Sequence, residues 1–299
     1  MYLGVDIGGT DIKFGVVNAE GRIVARAAVP TPKTSAEAVA DAVAAGVKQL
    51  SAAFPAETVG VGTPGIVTPD GRVSAANLPF ADTPLADLIA ARIGRTAVLG
   101  NDANCAALGE AAAGGEDDLL LVPLGTGVGG GIVTGGKPVV GAHGGAGEIG
   151  HRCIRVGGRA CPCGKRGCFE QYASASALTA AAKAAAAAHP DSLLAAYAKD
   201  GMDGKVFFRA VADGCPTAAA VLDAYLTDLA AGLESLQSIF DPAVIVLAGG
   251  ITEAGDALLA PLMQKLGADF PLKLSSLRSD AGVIGAAALG RKEAARHAD

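Results

Sequence analysis

Three cysteines within eight positions, Cys161, Cys163 and Cys168, form the densest group of metal-binding side chains in the sequence. With His151 upstream, they offer three thiolates and one imidazole. A closed Cys₃His set is typical of structural rather than catalytic zinc. Two glycines between Cys163 and Cys168 would permit the tight turn that brings three sulfurs to one ion. The alternative, unbound thiols beside a surface histidine, is disfavoured because compact cysteine clusters in reduced proteins usually bind metal. We therefore predict a structural zinc site.

The other three cysteines, Cys105, Cys153 and Cys215, are expected to be ordinary buried residues. Cys153 is close enough to His151 in the sequence to be a rival ligand. Its spacing suits a shared ion less well than that of the three clustered cysteines. We therefore expect Cys153 to lie outside the metal site.

Two glycine-rich loops follow apolar strands and have the composition of phosphate-binding turns. Their residues are Gly8, Gly9 and Thr10 in the first loop, and Gly125, Thr126 and Gly127 in the second. Backbone N–H groups can approach phosphate oxygens where no Cβ atoms intervene, and the threonine hydroxyls add donors. Neither loop has the Gly-Lys-Ser/Thr of a Walker A motif. Each loop alone is equally compatible with a plain hairpin turn, but together they favour phosphate binding.

Two carboxylates at predicted strand ends could take part in phosphoryl transfer. Asp6 could hold Mg²⁺, which prefers oxygen ligands and keeps several waters. Asp102 lies where a strand meets a helix, and it fits the base that accepts the proton of the attacking group. On the local sequence alone, helix capping by Asn101 or Asp102 explains this position equally well. Lys13 could contact phosphate, or it could be a solvated strand residue.

Two stretches of the chain repeat the order strand, glycine turn, strand, turn, strand. The predicted strands are 2–7, 12–17 and 22–28 in the first stretch, and 119–124, 130–133 and a third at Val139 in the second. The repetition predicts two related α/β domains that could hold a nucleotide between their loops. Residues 1–115 would form a small domain, completed by a C-terminal helix at about 281–299. Residues 116–280 would form a larger domain with the zinc motif.

The remaining elements follow from caps, periodicity and apolar runs. Thr34 to Glu37 resembles a capping box, so we predict a helix from there to about Phe54. Further predicted strands are 59–63, 97–100 and 244–247, and further predicted helices are 102–113, 173–188 and 216–240.

The composition excludes several classes of protein. The 299-residue chain has a formal net charge of −6 and no block of lysines or arginines, which argues against nucleic-acid or anionic-membrane partners. The Ala-rich stretch 180–188 is interrupted by Lys183 and is too short to span a membrane. No basic segment followed by an apolar run precedes Asp6, so we expect no secretory signal and a cytoplasmic protein. Because alanine and glycine carry much of the apolar count, close backbone approach should dominate the packing.

These motifs together resemble the ROK sugar kinases, a family of the actin-like ATPase superfamily. The resemblance runs from Asp6 to at least Gly250 and rests on DIGGT, NDAN, LGTGVGGG, GEIGH, CPCGKRGCFE and LAGG in this order. The cysteine motif with its upstream Glu-x-Gly-His is highly specific, and the glycine loops are not. The glucokinase subgroup is most similar, partly because Glu170-Gln-Tyr-Ala-Ser continues the zinc motif. The resemblance implies an α/β actin-like ATPase (ribonuclease H-like) fold with two α/β domains and an interdomain cleft.

The resemblance also implies an activity, the transfer of the γ-phosphate of ATP to the 6-hydroxyl of a hexose, with glucose as the best expectation. Asp102 would be the base, and zinc would be structural. Sugar-binding residues would be Gly65, Asn77, Asn101, Asp102, Glu148, His151 and Glu170. Residues around ATP and Mg²⁺ would be Asp6, Gly8, Gly9, Thr10, Lys13, Gly125, Thr126, Gly127, Gly249 and Gly250. His151 would serve zinc with one ring nitrogen and the sugar with the other.

Several alternatives stay open within this resemblance. The substrate could be N-acetylmannosamine, N-acetylglucosamine, allose or fructose, because these sugars share most of the contacted hydroxyls; fructose fits Glu148 and His151 less well. Polyphosphate could replace ATP. A sugar-responsive repressor is disfavoured because no helix-turn-helix module precedes Asp6, and a non-enzymatic actin-like ATPase leaves the Glu/His/zinc set unexplained. The family suggests a homodimer or a dimer of dimers, with sugar and ATP as its small-molecule partners.

Overall fold

The computed structural model describes residues 1–56 and 58–296 of the chain. The chain forms two compact units. The first contains Met1–Leu121, Gly131–Gly147 and the chain from Ser276 onward, and the second contains Val122–Gly130 and Glu148–Ser275. The domain boundaries that we place at 115/116 and 280/281 stay predictions.

The secondary-structure elements alternate between strands and helices in the first half and are mostly helical in the second. The strands are β1 (Tyr2–Ile7), β2 (Asp11–Val17), β3 (Ile23–Pro30), β4 (Thr58–Thr63), β5 (Ile66–Val67), β6 (Val73–Ala75), β7 (Phe80–Thr83), β8 (Thr96–Asn101), β9 (Leu119–Pro123), β10 (Gly131–Thr134), β11 (Lys137–Pro138), β12 (Val244–Ala248) and β13 (Leu272–Leu274). The α-helices are α1 (Ala36–Ser51), α2 (Leu85–Ile93), α3 (Asp102–Gly114), α4 (Glu170–Ala173), α5 (Ala175–Ala188), α6 (Leu193–Tyr197), α7 (Gly204–Ala212), α8 (Pro216–Phe240), α9 (Asp256–Leu266) and α10 (Ala281–Arg296). Residues 297–299 of the predicted last helix lie outside the described residues.

The five-stranded sheet of the first unit, in the order β3-β2-β1-β4-β8, positions the acidic residues of this unit. β1, β2 and β3 form an antiparallel meander in which Asp6 lies opposite Lys13. β4 and β8 join β1 in parallel. Because parallel strands end at the same edge of a sheet, Asp6 at the end of β1 and Asn101 at the end of β8 lie along one edge. Asp102 opens α3 directly after this edge.

Close backbone approach packs α10 onto this sheet, as the composition predicts. A Cβ atom on Gly60 of β4 would lie 1.7 Å from the carbonyl oxygen of Ala286, and one on Gly4 of β1 would lie 2.1 Å from that of Val283. Real side chains never come this near, so the helix backbone lies directly on the strands only because both positions are glycine.

Helix α1 begins one residue later than predicted, because its N-cap is one residue further along the chain. Ser35, not Thr34, is the N-cap, and its Oγ accepts a hydrogen bond of 3.2 Å from the amide of Ala38. The helix ends at Ser51 rather than near Phe54. Both residues 34 and 35 can cap a helix, and the burial of α1 through Val39, Val43 and Val47 selects the register.

Both predicted glycine-loop meanders form, although the third strand of the second one is Lys137–Pro138 rather than the predicted strand at Val139. β10 pairs antiparallel with Leu119–Leu121 of β9 and with β11, just as β2 pairs with β1 and β3. In the second unit, the amide of Leu124, directly after β9, donates a 2.9 Å hydrogen bond to the carbonyl of Ala248 at the end of β12. β12 in turn pairs in parallel with β13. The second glycine loop therefore begins where β9 meets the end of β12.

The second unit is built around α8, which contacts α4, α5, α7 and α9. Its predicted bounds are confirmed, with Pro216 in the first turn, where a missing N–H costs no hydrogen bond. The predicted helix 173–188 is wrong at its start. Ser174 is extended and its Oγ accepts from the amide of Ala177 at 3.0 Å, so it separates the single turn α4 from α5. A serine cap thus interrupts a segment whose composition favours continuous helix.

Sequence reasoning missed the small sheet β5-β6-β7 and the helices α2, α6, α7 and α9. These are short segments with interrupted periodicity, where burial rather than local propensity decides the structure. In the part of the chain that the structure describes, no helix is both long and apolar enough to cross a membrane.

Candidate functional site

The four predicted zinc ligands lie together in the second unit. The donor atoms of His151, Cys161, Cys163 and Cys168 are all within 4.8 Å of one another. Cys161 Sγ is 3.6 Å from His151 Nδ1, and Cys163 Sγ is 3.6 Å from Cys168 Sγ. A tetrahedral zinc with Zn–S bonds of about 2.3 Å separates its sulfur ligands by roughly 3.8 Å. The donor set therefore fits a tetrahedral zinc ion.

Tight turns hold the three sulfurs in place. The amide of Gly164 donates to the carbonyl of Cys161 at 3.0 Å, closing a turn in which Gly164 has a φ of +86°. Gly167 has a φ of +80°, and a Cβ atom there would lie 1.7 Å from the carbonyl oxygen of Arg155. Cys168 is buried next to Cys153 in a short β-bridge. Cys153 is exposed and stays outside the ligand group, so the expectation that it is buried is wrong, whereas Cys105 and Cys215 are buried.

The second ring nitrogen of His151 faces away from the sulfurs. Its Nε2 lies 4.0 Å from Oε2 of Glu148, three residues earlier on the same 3₁₀ turn. His151 thus directs Nδ1 at the thiols and Nε2 at another predicted sugar-binding side chain. A metal on Nδ1 would fix the ring, leaving Nε2–H to donate a hydrogen bond.

Glu170 follows the last cysteine and contacts the second glycine loop. Its Oε2 accepts a hydrogen bond of 3.2 Å from the amide of Val128. The same loop is held on its other side, because the amide of Ala175 donates to the carbonyl of Gly125 at 3.0 Å. Gly125 and Thr126 are exposed, so their polar groups are accessible to a ligand.

The first unit carries the other predicted loop. The amide of Gly8 donates to the carbonyl of Asp11 at 2.9 Å, and Thr31 Oγ1 donates to the carbonyl of Gly8 at 2.8 Å. Lys33 Nζ donates to the carbonyl of Gly9. These bonds shape the turn from outside and leave Gly9 and Thr10 exposed. Lys33 was not predicted, since a lone lysine outside the glycine motif carries no signal.

Asp6, at the end of β1, is an unusual carboxyl group. Burial raises the pKa of Asp6 to about 6; the Lys13 ammonium opposes this rise, and the Asp102 carboxylate adds to it. A cation beside Asp6 would reverse the effect, because it favours the ionised form. Asp6 thus fits a Mg²⁺ ligand: it is a hard oxygen donor in a place where a lone negative charge is disfavoured.

Asn101 and Asp102 lie at the start of α3. Asn101 is the N-cap of α3: its Oδ1 accepts from the amides of Ala103 at 3.0 Å and Asn104 at 3.2 Å. Its Nδ2 donates to the carbonyl of Gly65 at 3.0 Å. Asn101 is therefore the N-cap, while Asp102, the first helical residue, also accepts from the amide of Ala103 through its own Oδ1 at 2.8 Å, at a helix N-terminus that favours its negative charge.

Gly65 joins this group through its backbone. It has a φ of +97°, and a Cβ atom there would lie 2.3 Å from the carbonyl oxygen of Ser74. The structure thus brings Gly65, Asn101 and Asp102 together in the first unit. Asn77 lies in the exposed turn between β6 and β7.

A cavity of about 660 Å³ opens in the second unit beside the second glycine loop. Gly125 and Gly250, both predicted nucleotide contacts, line it. Its apolar walls come from Leu124, Leu178, Phe208 and Ile251, and its polar groups include Thr179, Asp203 and Lys205. The volume and the mixed lining suit a small organic ligand such as a nucleoside. Gly249 precedes the lining residue Gly250. Gly249 has a φ of +97°, and a Cβ atom on it would lie 2.2 Å from the carbonyl oxygen of Leu124.

Sequence reasoning missed the wall of this cavity that α7 supplies. Asp203 caps α7 by accepting from the amide of Val206 at 2.8 Å, and Lys205 Nζ lies 3.8 Å from Glu253 Oε2 across the cavity lining. Asp203 before a helix is a capping signal that predicts α7, but nothing in it indicates a ligand.

The fold and these sites define an actin-like sugar kinase. The chain belongs to the ROK family, whose pattern matches residues 2–293. It is 38% identical to the glucokinase of Streptomyces coelicolor, covering 98% of each chain. It is 36% identical to the N-acetyl-D-glucosamine kinase of Salmonella typhimurium, covering 84% of each. The crystal structure of a ROK family glucokinase from Streptomyces griseus in complex with glucose and AMPPNP matches with a TM-score of 0.81 and 37% identity, over 97% of this chain and 99% of that one. The predicted family and the actin-like ATPase fold class are confirmed.

Proposed function

We propose that this protein is an ATP-dependent hexose kinase that transfers the γ-phosphate to the 6-hydroxyl of glucose. The observation that carries the proposal is the pair of acidic residues in the first unit. Asp6 is half-buried and has a raised pKa, whereas Asp102 is the first residue of α3, where the helix N-terminus favours a negative charge. Carboxylates in unlike environments take unlike roles, here a cation ligand and a proton acceptor.

Asp102 acts as the base in this proposal. Its carboxylate accepts the proton of the 6-hydroxyl as the sugar oxygen attacks the γ-phosphorus, and the bond from that phosphorus to the bridging oxygen of ADP breaks. Asn101 holds Asp102 in position by capping α3 and by its bond to Gly65. In such a reaction the enzyme mostly positions groups and neutralises charge.

The sugar hydroxyls are bound by a set of amide, carboxylate and imidazole groups that the family pattern assigns. Glu148 and His151 both form hydrogen bonds with sugar hydroxyls in this proposal, His151 through Nε2. The 4.0 Å distance between His151 Nε2 and Glu148 Oε2 supports their binding of the same sugar. The other members are Gly65, Asn77, Asn101 and Glu170. A pocket that pairs each hydroxyl with a buried polar group discriminates strongly against sugars that lack one.

The nucleotide and its cation occupy the glycine loops and the cavity of the second unit. The phosphates are held by Gly8, Gly9, Thr10, Lys13, Gly125, Thr126 and Gly127. The adenosine lies in the cavity bordered by Gly249 and Gly250, which is of suitable size. Asp6 would hold Mg²⁺, which would neutralise charge on the phosphates. His151, Cys161, Cys163 and Cys168 would hold a structural zinc ion, since four protein donors would leave no open position for a substrate.

We also propose a cytoplasmic location and a homodimer or dimer of dimers. The location is supported by the thiols, because zinc-binding cysteines must stay reduced. The oligomer is supported by the family resemblance alone. Light scattering coupled to gel filtration measures it directly, and a monomeric mass would contradict it.

A kinase for an acetamido sugar is the second candidate, supported by the 36% identity to an N-acetyl-D-glucosamine kinase. The test is a coupled assay of ADP release with ATP and Mg²⁺, offering glucose, N-acetylglucosamine, N-acetylmannosamine, allose and fructose side by side. Highest turnover on glucose supports the proposal, and highest turnover on an acetamido sugar replaces glucose with that sugar. No turnover with ATP, but turnover with polyphosphate, would correct the donor.

The control in this assay is Asp102→Asn. A general base contributes about 10²- to 10⁴-fold to a rate. We therefore expect turnover to fall by at least a hundredfold while the dissociation constant for the sugar, measured by calorimetry, changes by only a few-fold. A variant that keeps its turnover would refute the role of Asp102.

A further inference from the structure

Glu170 links two sites that the proposed function treats separately, the metal cluster and the second glycine loop. It is two residues from the ligand Cys168, yet its Oε2 accepts from the backbone amide of Val128 at 3.2 Å. The carboxylate lies so close to the loop that a Cβ atom on Gly127 would be 2.1 Å from Oε2 and 3.0 Å from Cδ. A side chain at position 127 would therefore have to displace the Glu170 carboxylate from the loop.

Gln171 extends the contact to the metal cluster. Its Nε2 lies 3.7 Å from Cys161 Sγ and 3.4 Å from Glu170 Oε1, so one amide hydrogen can be donated to the sulfur and the other to the carboxylate. A continuous series of hydrogen bonds therefore runs from the thiol Cys161 through Gln171 and Glu170 to the amide of Val128. A metal-bound thiolate would strengthen the first bond, because a charged acceptor holds a donor more tightly than a neutral one.

The segment that carries these two side chains is firmly anchored. Phe169, between the last cysteine and Glu170, is completely buried, and its ring fills the place of a side chain at Gly232 of α8. The guanidinium of Arg152 lies 5.9 Å from the centre of the Phe169 ring and donates to Ser235 Oγ at 2.6 Å. Glu170 is therefore presented to the loop from a rigid base rather than from a flexible chain.

We propose that Glu170 is a positioning residue for the phosphate-binding loop at Gly127–Val128, and that Gln171 couples this loop to the zinc site, so that zinc occupancy raises the affinity for nucleotide. This inference rests on the proposed function, which assigns zinc and nucleotide to the two ends of the connection. It gives Glu170 a task beyond contact with sugar. By linkage, nucleotide must tighten zinc by the same factor as zinc tightens nucleotide.

The first test measures binding of AMPPNP by calorimetry, without sugar, to the zinc-loaded protein. Glu170→Ala should weaken the analogue about tenfold, since it removes the charge-assisted hydrogen bond that holds the Val128 amide. Glu170→Gln keeps an oxygen acceptor for Val128 and should stay within about threefold of wild type. The matched control, Glu234→Ala on the exposed face of α8, should change nothing. If Glu170 serves only the sugar, none of these variants alters AMPPNP binding, and the inference is overturned.

Hydrogen exchange at the Val128 amide gives a readout that needs neither ligand nor turnover. Glu170→Ala should speed this exchange by about tenfold or more, and Glu170→Gln should largely restore its protection. Unchanged exchange in Glu170→Ala would overturn the positioning role.

A double-variant cycle separates the contact from a general loss of loop structure. Gly127 does not have a positive φ, so alanine fits its backbone, and Gly127→Ala acts by displacing Glu170. It should weaken AMPPNP about tenfold in the wild type but have little further effect in Glu170→Ala. Equal effects in both backgrounds would contradict the proposed contact.

The coupling to the metal is tested with Gln171→Met, which keeps the length of the side chain and removes its donors. A zinc chelator titrated with and without AMPPNP should show tighter zinc retention with the analogue in the wild type, and a smaller difference in the variant. Zinc affinity itself should fall about tenfold in the variant, as for other partners of metal ligands. If AMPPNP changed zinc retention equally in the wild type and in Gln171→Met, the proposed coupling through Gln171 would be refuted. If the wild type binds no AMPPNP at all, the proposed function fails, while the Val128 exchange experiment still decides the role of Glu170.

Discussion

Replacing Asp6 with asparagine should make the protein more stable and inactive at the same time. The pKa of this carboxyl is raised from 3.8 to about 6, mainly by burial. Each pKa unit corresponds to about 1.4 kcal/mol, so the ionised Asp6 costs the folded protein about 3 kcal/mol. Asparagine has the same shape without the charge and avoids this cost. It also removes the proposed Mg²⁺ ligand, so turnover should be lost.

The gain in stability must depend on pH in a defined way. Above pH 6 the carboxyl is ionised in both the folded and the unfolded protein, and the variant keeps its full advantage of about 3 kcal/mol. Between pH 6 and 3.8 the folded wild type binds a proton that the unfolded chain lacks, so its relative stability recovers and the advantage shrinks. Below pH 3.8 the two proteins should be equally stable.

The assay measures thermal unfolding by scanning calorimetry, in EDTA, at pH 8 and at pH 4.5. At pH 8 we expect the Tm of Asp6→Asn to exceed that of the wild type by roughly 5 °C, and at pH 4.5, where the advantage falls to about 1 kcal/mol, by about a third of this. Asp11→Asn, at an exposed position on β2, is the matched control and should show no such pH-dependent difference. The explanation that burial destabilises the ionised Asp6 would be refuted if Asp6→Asn were less stable than the wild type at pH 8, or if the difference in Tm were the same at both pH values.

Two further predictions concern the metal site and the packing of the first unit. Cys163→Ser should release zinc, measured by mass spectrometry of metal content, and should weaken sugar binding because the loop that carries Glu148 and His151 loses order; a wild type without zinc would contradict the site. Gly60→Ala should cost at least about 3 kcal/mol of unfolding free energy in urea, because its Cβ would lie 1.7 Å from the carbonyl of Ala286. Gly145→Ala, with no atom within 4 Å of its Cβ, is the control, and equal stability of the two variants would contradict the backbone contact.

The sequence predicted best what short segments decide for themselves. The cysteine spacing with His151 identified four side chains that do lie together and could hold a metal ion, because a tight turn leaves them few other arrangements. The strands β1 and β2 with the turn between them followed from alternation and glycine placement. The sequence could not decide whether Asn101 or Asp102 caps α3, since both residue types can cap a helix. The hydrogen bonds make Asn101 the N-cap and also join Asp102 Oδ1 to the amide of Ala103.

What the sequence left out depends on contacts between distant segments. Asp203, Lys205 and Phe208 line the nucleotide-sized cavity together with Gly125 of the second glycine loop, although Asp203 lies 78 positions after Gly125 in the sequence. The contact of Glu170 with Val128 is of the same kind. A glutamate after a cysteine motif has no local pattern that indicates a loop amide, yet Gly127 is constrained by that glutamate.

The electrostatics of the first unit also determine how a loss of turnover in Asp102→Asn must be interpreted. The charge of Asp102 contributes to the raised pKa of Asp6, so removing it lowers that pKa. The same change makes the site less negative, and because Asp6 is already ionised at pH 8, we expect Asp102→Asn to bind Mg²⁺ more weakly than the wild type. The capping of α3 by Asn101 is unaffected by the change, because Asn101 makes those bonds with its own side chain. Turnover that stays lost at saturating Mg²⁺ is then attributable to the missing proton acceptor, whereas turnover restored by excess Mg²⁺ would assign the loss to the cation site.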